Sequence, residues 1–200
     1  LQGHTKNPYA IDRVPAGSSG GTAASVAASF AAVGLGSDTG NSIRGPASHQ
    51  ALAGIRSTMG LTSRAGVVPL NLLADIAGPI TRTLEDAVAV LRVIAGPDPD
   101  DPVTVSDTAI ARAFSPGGHP TEIPNYLASL RKDGLKGRRI GILRQAYERD
   151  TTDAEIVKVF MAAVDGMARA GAVIVAPVPV DLDDIKRAQG VGTSGRFTHA

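Results

Sequence analysis

The chain has 200 residues, with 20 Lys and Arg against 19 Asp and Glu and a net charge of +1, so nothing electrostatic points to nucleic acid or an anionic membrane. Aromatics make up 4% and Trp is absent, which argues against a base-stacking surface. Without cysteine there are no disulfides, zinc-thiolate sites or thiol chemistry, a composition that fits a reducing, cytoplasmic setting; no apolar run approaches the roughly 20 residues that cross a bilayer.

Residues 1–21 are polar and Gly/Pro-rich and read as loop. The start, Leu1-Gln2-Gly3-His4, has neither Met nor a signal-peptide pattern, and we expect the chain to be part of a longer protein. From Gly21 to about Val33 alanine dominates, which predicts a helix packed tightly among neighbours, with Ser18 or Ser19 at its N-cap. Val33-Gly34-Leu35-Gly36 reads as a short buried strand. Residues 47–56 read as a short helix followed by a strand near Gly54-Ile55-Arg56, and residues 57–82 as loops and short strands, Gly66-Val67-Val68-Pro69-Leu70 among them.

Thr83-Leu84-Glu85-Asp86 resembles a capping box with Asp in place of the usual Glu. Ala87, Val90, Leu91 and Ile94 follow at helical spacing, and Gly96-Pro97 ends the pattern. Residues 96–102 form a Pro/Asp-rich turn, and residues 103–125 read as irregular connection. Arg138 to Leu143 then predicts a strand. Thr152-x-x-Glu155 caps a helix with Ile156, Phe160, Ala163 and Met167 as its apolar stripe, Gly171 stops it, and Ala172 to Val175 is a second buried strand. Strand, helix and strand in that order predict a βαβ unit and an α/β fold.

Two serine-bearing glycine turns carry the chemistry. The first is Pro15-Ala16-Gly17-Ser18-Ser19-Gly20-Gly21, and the second is Gly36-Ser37-Asp38-Thr39-Gly40-Asn41-Ser42-Ile43-Arg44. A helix and a short returning strand can bring the two turns together. Each turn alone is equally well read as a capping or surface turn. Asp38 and Arg44 flanking the second serine favour function for the pair, since serine needs a neighbouring base and an oxyanion needs preorganised donors.

With the continuation Gly45-Pro46-Ala47, Gly54, Ser63-Arg64-x-Gly66-Val67-Val68-Pro69, Asp75-x-x-Gly78-Pro79, Thr83-x-Glu85-Asp86-Ala87 and Val93 to Pro102, this order of motifs resembles the amidase signature family. The resemblance is dense over residues 5–102 and general in the second half. It implies an α/β fold with a mixed β-sheet core covered by helices on both faces, present here as a fragment. Residues 1–200 then read as part of one domain, with the signature core at 1–102 and a connecting loop and βαβ-like extension at 103–200.

The resemblance also implies a Ser–cis-Ser–Lys triad. Ser42 would be the nucleophile, and Ser18, after a cis peptide bond from Gly17, the proton relay. Backbone N–H groups of Thr39, Gly40, Asn41 and Ser42 would form the oxyanion hole. Ser19, Asp38 and Arg44 would support the turns. The family lysine lies well upstream of the first turn, outside residues 1–200. Lys6, Lys132, Lys136, Lys158 and Lys186 are not assigned as the base, and these residues alone are expected to be inactive. No cofactor or metal is implied. The partners would be a small-molecule amide substrate and the rest of the same polypeptide, with a homodimer as a further option.

Two departures stand out. Asn41 occupies a position where the family usually has Gly, and Asn is the non-glycine residue that best holds positive φ. Ala16 stands where family members commonly have Gly. Asn41 and the run Gly45-Pro46-Ala47-Ser48-His49 resemble stand-alone amidases, aryl acylamidase-like members included, more than the amidase component of glutamyl-tRNA amidotransferases. That amidotransferase component, and a non-catalytic member that has lost its base, remain the alternatives.

Other motifs carry less. Gly17-x-Ser19-x-Gly21 matches a nucleophile elbow, but Pro15 argues against the strand that elbow requires. Gly34-x-Gly36-x-x-x-Gly40 is not a dinucleotide fingerprint. His4, His49, His119 and His199 lack metal-ligand spacing. His49 is equally a pocket residue or a packing residue.

Overall fold

Strand β3 (Ile76–Thr81) organises the first part of the molecule, with β1 (Val33–Asp38) on one side and β2 (Ala53–Gly54) on the other. The structure is a computed structural model that describes residues 3–105 and 123–178, together with Val180 and Ile185. The chain divides into two compact units, one reaching Ala128 and the other beginning at Ser129.

In the first unit both strand pairings are antiparallel. Val33 lies opposite Thr81 and Asp38 opposite Ile76, while Ala53 faces Thr81 and Gly54 faces Ile80. A proline inside a central strand is uncommon because it lacks the ladder donor. Here Pro79 presents its carbonyl to the Ile55 N–H at 3.1 Å, just beyond the two-residue β2. Its missing N–H therefore faces a side where the regular ladder has already stopped.

Helix α1 (Gly20–Ala27) is shorter than the alanine run predicts. Ser29 adopts φ 61°, the Ser29 N–H bonds to the Val26 carbonyl, and the Phe30 N–H bonds back to the Ser25 carbonyl at 2.8 Å. This left-handed stop ends the helix before Val33. Arg82 Nη1 then donates to the carbonyls of Val26 (3.0 Å) and Ala31 (3.1 Å), tying that end to the foot of β3. Ser19 sits at the N-cap position, but its side chain makes no cap bond.

Helix α2 (Arg44–His49) leads into β2, and α3 (Leu84–Ile94) packs on β3. Thr83 caps α3 as the motif predicts, its hydroxyl accepting the Asp86 N–H at 3.1 Å. Ala87, Val88 and Leu91 are the buried face. One core cluster joins Ala23, Ile43 and Ile80, with Leu52 against it, and a second joins Met59, Ile76 and Val103. Ile43 and Ile80 are fully buried, each stabilising by about 1.5–3 kcal/mol. Gly66 to Leu70 forms no strand. Most of the 103–125 connection lies outside the described residues, as do His119, Lys186 and His199.

The second unit contains the βαβ unit the rhythm predicts. Strands β4 (Arg139–Gly141) and β5 (Val173–Val175) pair in parallel, joined through α4 (Ala154–Arg169). The cap is Asp153, which accepts the Glu155 N–H at 2.8 Å, and not Thr152. At the other end Gly171 takes φ 93°, donating to the Ala168 carbonyl while Ala172 donates to the Met167 carbonyl. These are the two bonds of a Schellman stop, whose left-handed residue favours glycine. Only Val164 of α4 is buried, and Ile156 is 64% exposed, because two three-residue strands cannot cover a 16-residue helix.

Candidate active site

The two serine turns meet through their backbones. The Ser19 N–H donates to the Ser42 carbonyl at 3.2 Å, so the residue after Ser18 is bonded to Ser42 itself. Ser19 Oγ reaches β1 instead of capping α1. It donates to the Ser37 carbonyl at 3.2 Å and accepts the Ser37 N–H at 3.3 Å. The Gly17–Ser18 peptide bond is cis. Ser18 is exposed and Ser42 half-buried, so both face an open surface.

Asp38, at the end of β1, organises the second turn. Its side chain is fully buried. Oδ2 accepts the N–H groups of Ile43 (3.0 Å) and Arg44 (3.2 Å), satisfying the free start of α2, and also Arg44 Nε at 3.1 Å. Oδ1 accepts Arg44 Nη2 at 3.1 Å and Arg56 Nη1 at 3.2 Å. Burial pushes the Asp38 carboxyl up, but the Arg44 guanidinium, the two backbone N–H groups and the Arg44 charge outweigh it and hold it below the ordinary carboxylate value. Arg44 Nη2 also donates to the Gly40 carbonyl at 2.5 Å, crossing the turn.

Sequence reasoning missed Arg56, Asp75 and Gln50. Arg56 Nη1 also bonds to the Asp38 carbonyl, and its Nη2 donates to the Ala74 carbonyl at 2.9 Å. Asp75 Oδ1 accepts the Thr39 hydroxyl at 2.5 Å. Gln50 is fully buried at the end of α2 and donates Nε2 to the Pro15 carbonyl at 3.0 Å, a second tie between α2 and the first turn. Asp75 stood in a sequence motif, but its partner is 36 residues away and no local pattern marks that pairing.

None of Thr39, Gly40, Asn41 and Ser42 has positive φ. The expectation that Asn41 is tolerated for its left-handed freedom is therefore corrected, since this turn makes no such demand. The Asn41 side chain instead folds toward α2, where a Cβ on Gly45 would lie 2.7 Å from Asn41 Nδ2. Ala16, by contrast, does occupy left-handed backbone, at φ 57°. That conformation costs a residue with a Cβ about 1–2 kcal/mol, partly offset by the greater unfolded-state freedom of glycine. Ala16→Gly is expected to raise stability by about 0.5 kcal/mol. A higher urea midpoint with an unchanged m-value would show it, and a lower midpoint would contradict it.

His49 is exposed at the end of α2, and its carbonyl accepts Asn7 Nδ2 at 2.7 Å. Lys6, Lys132, Lys136 and Lys158 are all exposed. Among the described residues no group of three or more His, Asp or Glu side chains could hold a metal ion, and no helix is long and apolar enough to cross a membrane.

The Amidase family model matches residues 1–191. The amidase component of the glutamyl-tRNA(Gln) amidotransferase of Prochlorococcus marinus is 41% identical over 173 residues, covering 86% of this chain and 33% of that protein. The peptide amidase of Stenotrophomonas maltophilia superposes with a TM-score of 0.75 at 35% identity, over 92% of this chain and 35% of its own. A bacterial aryl acylamidase gives a TM-score of 0.68 at 27% identity, over 93% of this chain and 36% of its own. The chain thus spans about a third of the length of the curated relatives it matches. The two joined serine turns, the α/β fold and this match across nearly its whole length lead to one assignment: the chain belongs to the amidase signature family.

Proposed function

We propose that this chain carries the serine machinery of an amidohydrolase that cleaves a carboxamide or anilide bond. The observation that carries this reading is the bond from the Ser19 N–H to the Ser42 carbonyl, which joins the two serine turns. Ser42 Oγ attacks the amide carbonyl and gives its proton to Ser18 Oγ, which passes its own to a neutral lysine outside residues 1–200. Backbone N–H groups of the Thr39–Ser42 turn hold the oxyanion. The C–N bond breaks, the leaving amine takes the proton back along the same relay, and water hydrolyses the ester on Ser42. Ser19, Asp38 and Arg44 hold the turns in place. Residues 1–200 alone lack the base and are inactive in this reading.

The test is fluorophosphonate labelling of the full-length protein. We expect label on Ser42, none in Ser42→Ala, and labelling slowed at least 100-fold in Ser18→Ala, by analogy with loss of a triad member. Label on another residue, or no label on folded protein, would refute the assignment.

A second reading is the amidase component of an amidotransferase, delivering ammonia to a partner. It is supported by the 41% identity to the amidotransferase protein, against 27% to the aryl acylamidase. The leaning toward aryl acylamidases therefore draws no support from overall identity. Glutaminase activity seen only with partner proteins would favour the second reading, and hydrolysis of aryl amides by the isolated full-length protein the first.

A further inference from the structure

We propose that Asp75 is a positioning residue for the acylation step, holding the Thr39–Ser42 turn through the Thr39 hydroxyl; this rests on the amidohydrolase reading above. Thr39 opens the turn, and its Oγ1 donates to Asp75 Oδ1 at 2.5 Å. Asp75 is itself 3% exposed and cannot drift with its partner. Its Oδ2 accepts the N–H groups of Leu70 and Asn71, both at 2.8 Å, and its own N–H donates to the Asn71 carbonyl at 2.8 Å. The next residue, Ile76, begins β3 and is buried against Met59 and Val103.

The loop that presents Asp75 is braced in turn. Arg64 Nη1 donates to the Leu72 carbonyl at 2.5 Å, and the rest of its guanidinium is gripped by Asp101, with Nη2 to Oδ1 at 2.7 Å and Nε to Oδ2 at 2.9 Å. Arg56 spans from the Ala74 carbonyl to Asp38. Thr39 is thus held on two sides, through the residue before it by the Asp38 cluster and through its own side chain by Asp75. Oxyanion donors contribute in proportion to how well they are aimed before the reaction, and a hydroxyl bonded to a carboxylate is a charge-assisted anchor. Asp75 closes its own loop with Oδ2 alone, which leaves Oδ1 for Thr39. A role confined to the loop would therefore not depend on the Thr39 hydroxyl.

The test measures fluorophosphonate acylation of Ser42 in the full-length protein for wild type, Thr39→Val, Thr39→Ser and Asp75→Asn. Thr39→Val removes the hydroxyl and leaves both Oδ2 bonds intact, so the loop still folds. We expect kinact to fall about 10- to 100-fold in Thr39→Val with KI within about twofold, and Thr39→Ser to stay within about threefold of wild type. Asp75→Asn should fall similarly, and the double variant no further than the slower single one. A wild-type kinact in Thr39→Val, equal losses in Thr39→Ser and Thr39→Val, multiplying losses in the double variant, or an effect on KI alone would each overturn the positioning role. Wild-type protein unlabelled at Ser42 would instead refute the amidohydrolase reading, and the positioning role with it.

Discussion

Replacing Asp38 with Asn is expected to destabilise the protein by about 3 kcal/mol at pH 7, the low end of the range for breaking a buried ion pair. The low end applies because the partners left behind are partly solvated, Arg44 with 49% and Arg56 with 23% of its side chain exposed. The carboxylate itself is fully buried and accepts five hydrogen bonds, two of them from the backbone N–H groups of Ile43 and Arg44. An amide can face only one oxygen toward these donors, so part of the set loses its acceptor whichever way it turns.

The effect has a pH signature. The folded-state Asp38 carboxyl lies below the ordinary value of 3.8, with burial opposed by the Arg44 hydrogen bonds, the backbone N–H groups and the Arg44 charge. A depressed carboxyl contributes stability that is present above the unfolded value and is lost as pH falls through the folded one. The gap between wild type and Asp38→Asn should therefore hold steady from pH 7 to about pH 5 and narrow below 3.8. Asp101, lowered chiefly by its hydrogen bond from Arg64, leaves a residual acid dependence in the variant. Urea titrations at pH 7 and pH 3 measure both quantities. A gap that stays constant between them would mean that shape, and not the carboxylate charge, organises the turn.

Features encoded within a few neighbouring residues were legible in advance. The Thr83 cap, the βαβ unit and the Gly171 stop each depend on local motif or periodicity. β3 was not legible as a central strand, since Gly78-Pro79 reads as a break until one sees that β2 ends beside Pro79. The α4 stripe pointed to a buried helix face, whereas Phe160 is 37% exposed because the unit around it is small. At the site, the paired turns and the Asp38–Arg44 pair could be read from their spacing. Arg56, 18 residues beyond Asp38, and Asp75 could not, because a cation or carboxylate far along the chain carries no mark of which turn it will clamp. Ser19 shows a competition that sequence leaves undecided. A cap on α1 and a bond to Ser37 are both open to it, and the close approach of β1 at Gly36 selects the second.

Gly36→Ala is expected to cost about 2 kcal/mol and to slow Ser42 acylation about 100-fold or more, the larger effect being on the chemistry. Adding a Cβ to a glycine within a strand ordinarily stabilises by about 0.5–1 kcal/mol through the unfolded state. Here the local contacts reverse the sign. A Cβ on Gly36 would lie 2.6 Å from Ser19 Oγ, 2.9 Å from Ser19 Cβ and 3.2 Å from Ile43 Cγ1. Rotating the hydroxyl relieves the first contact but not the second, because Ser19 Cβ moves only with its backbone. That backbone carries the N–H bonded to the Ser42 carbonyl. The added methyl group therefore acts as a wedge between the two serine turns. Gly34→Ala is the control. Its Cβ would meet Thr22 Cγ2 at 2.4 Å and Val26 Cγ2 at 3.2 Å, which disturbs α1 against β1 without touching Ser19. Both variants should lower the urea midpoint, and only Gly36→Ala should lose acylation rate per folded molecule. Equal rate losses in the two would show that the chemistry tolerates separation of the turns and responds only to the general packing of α1.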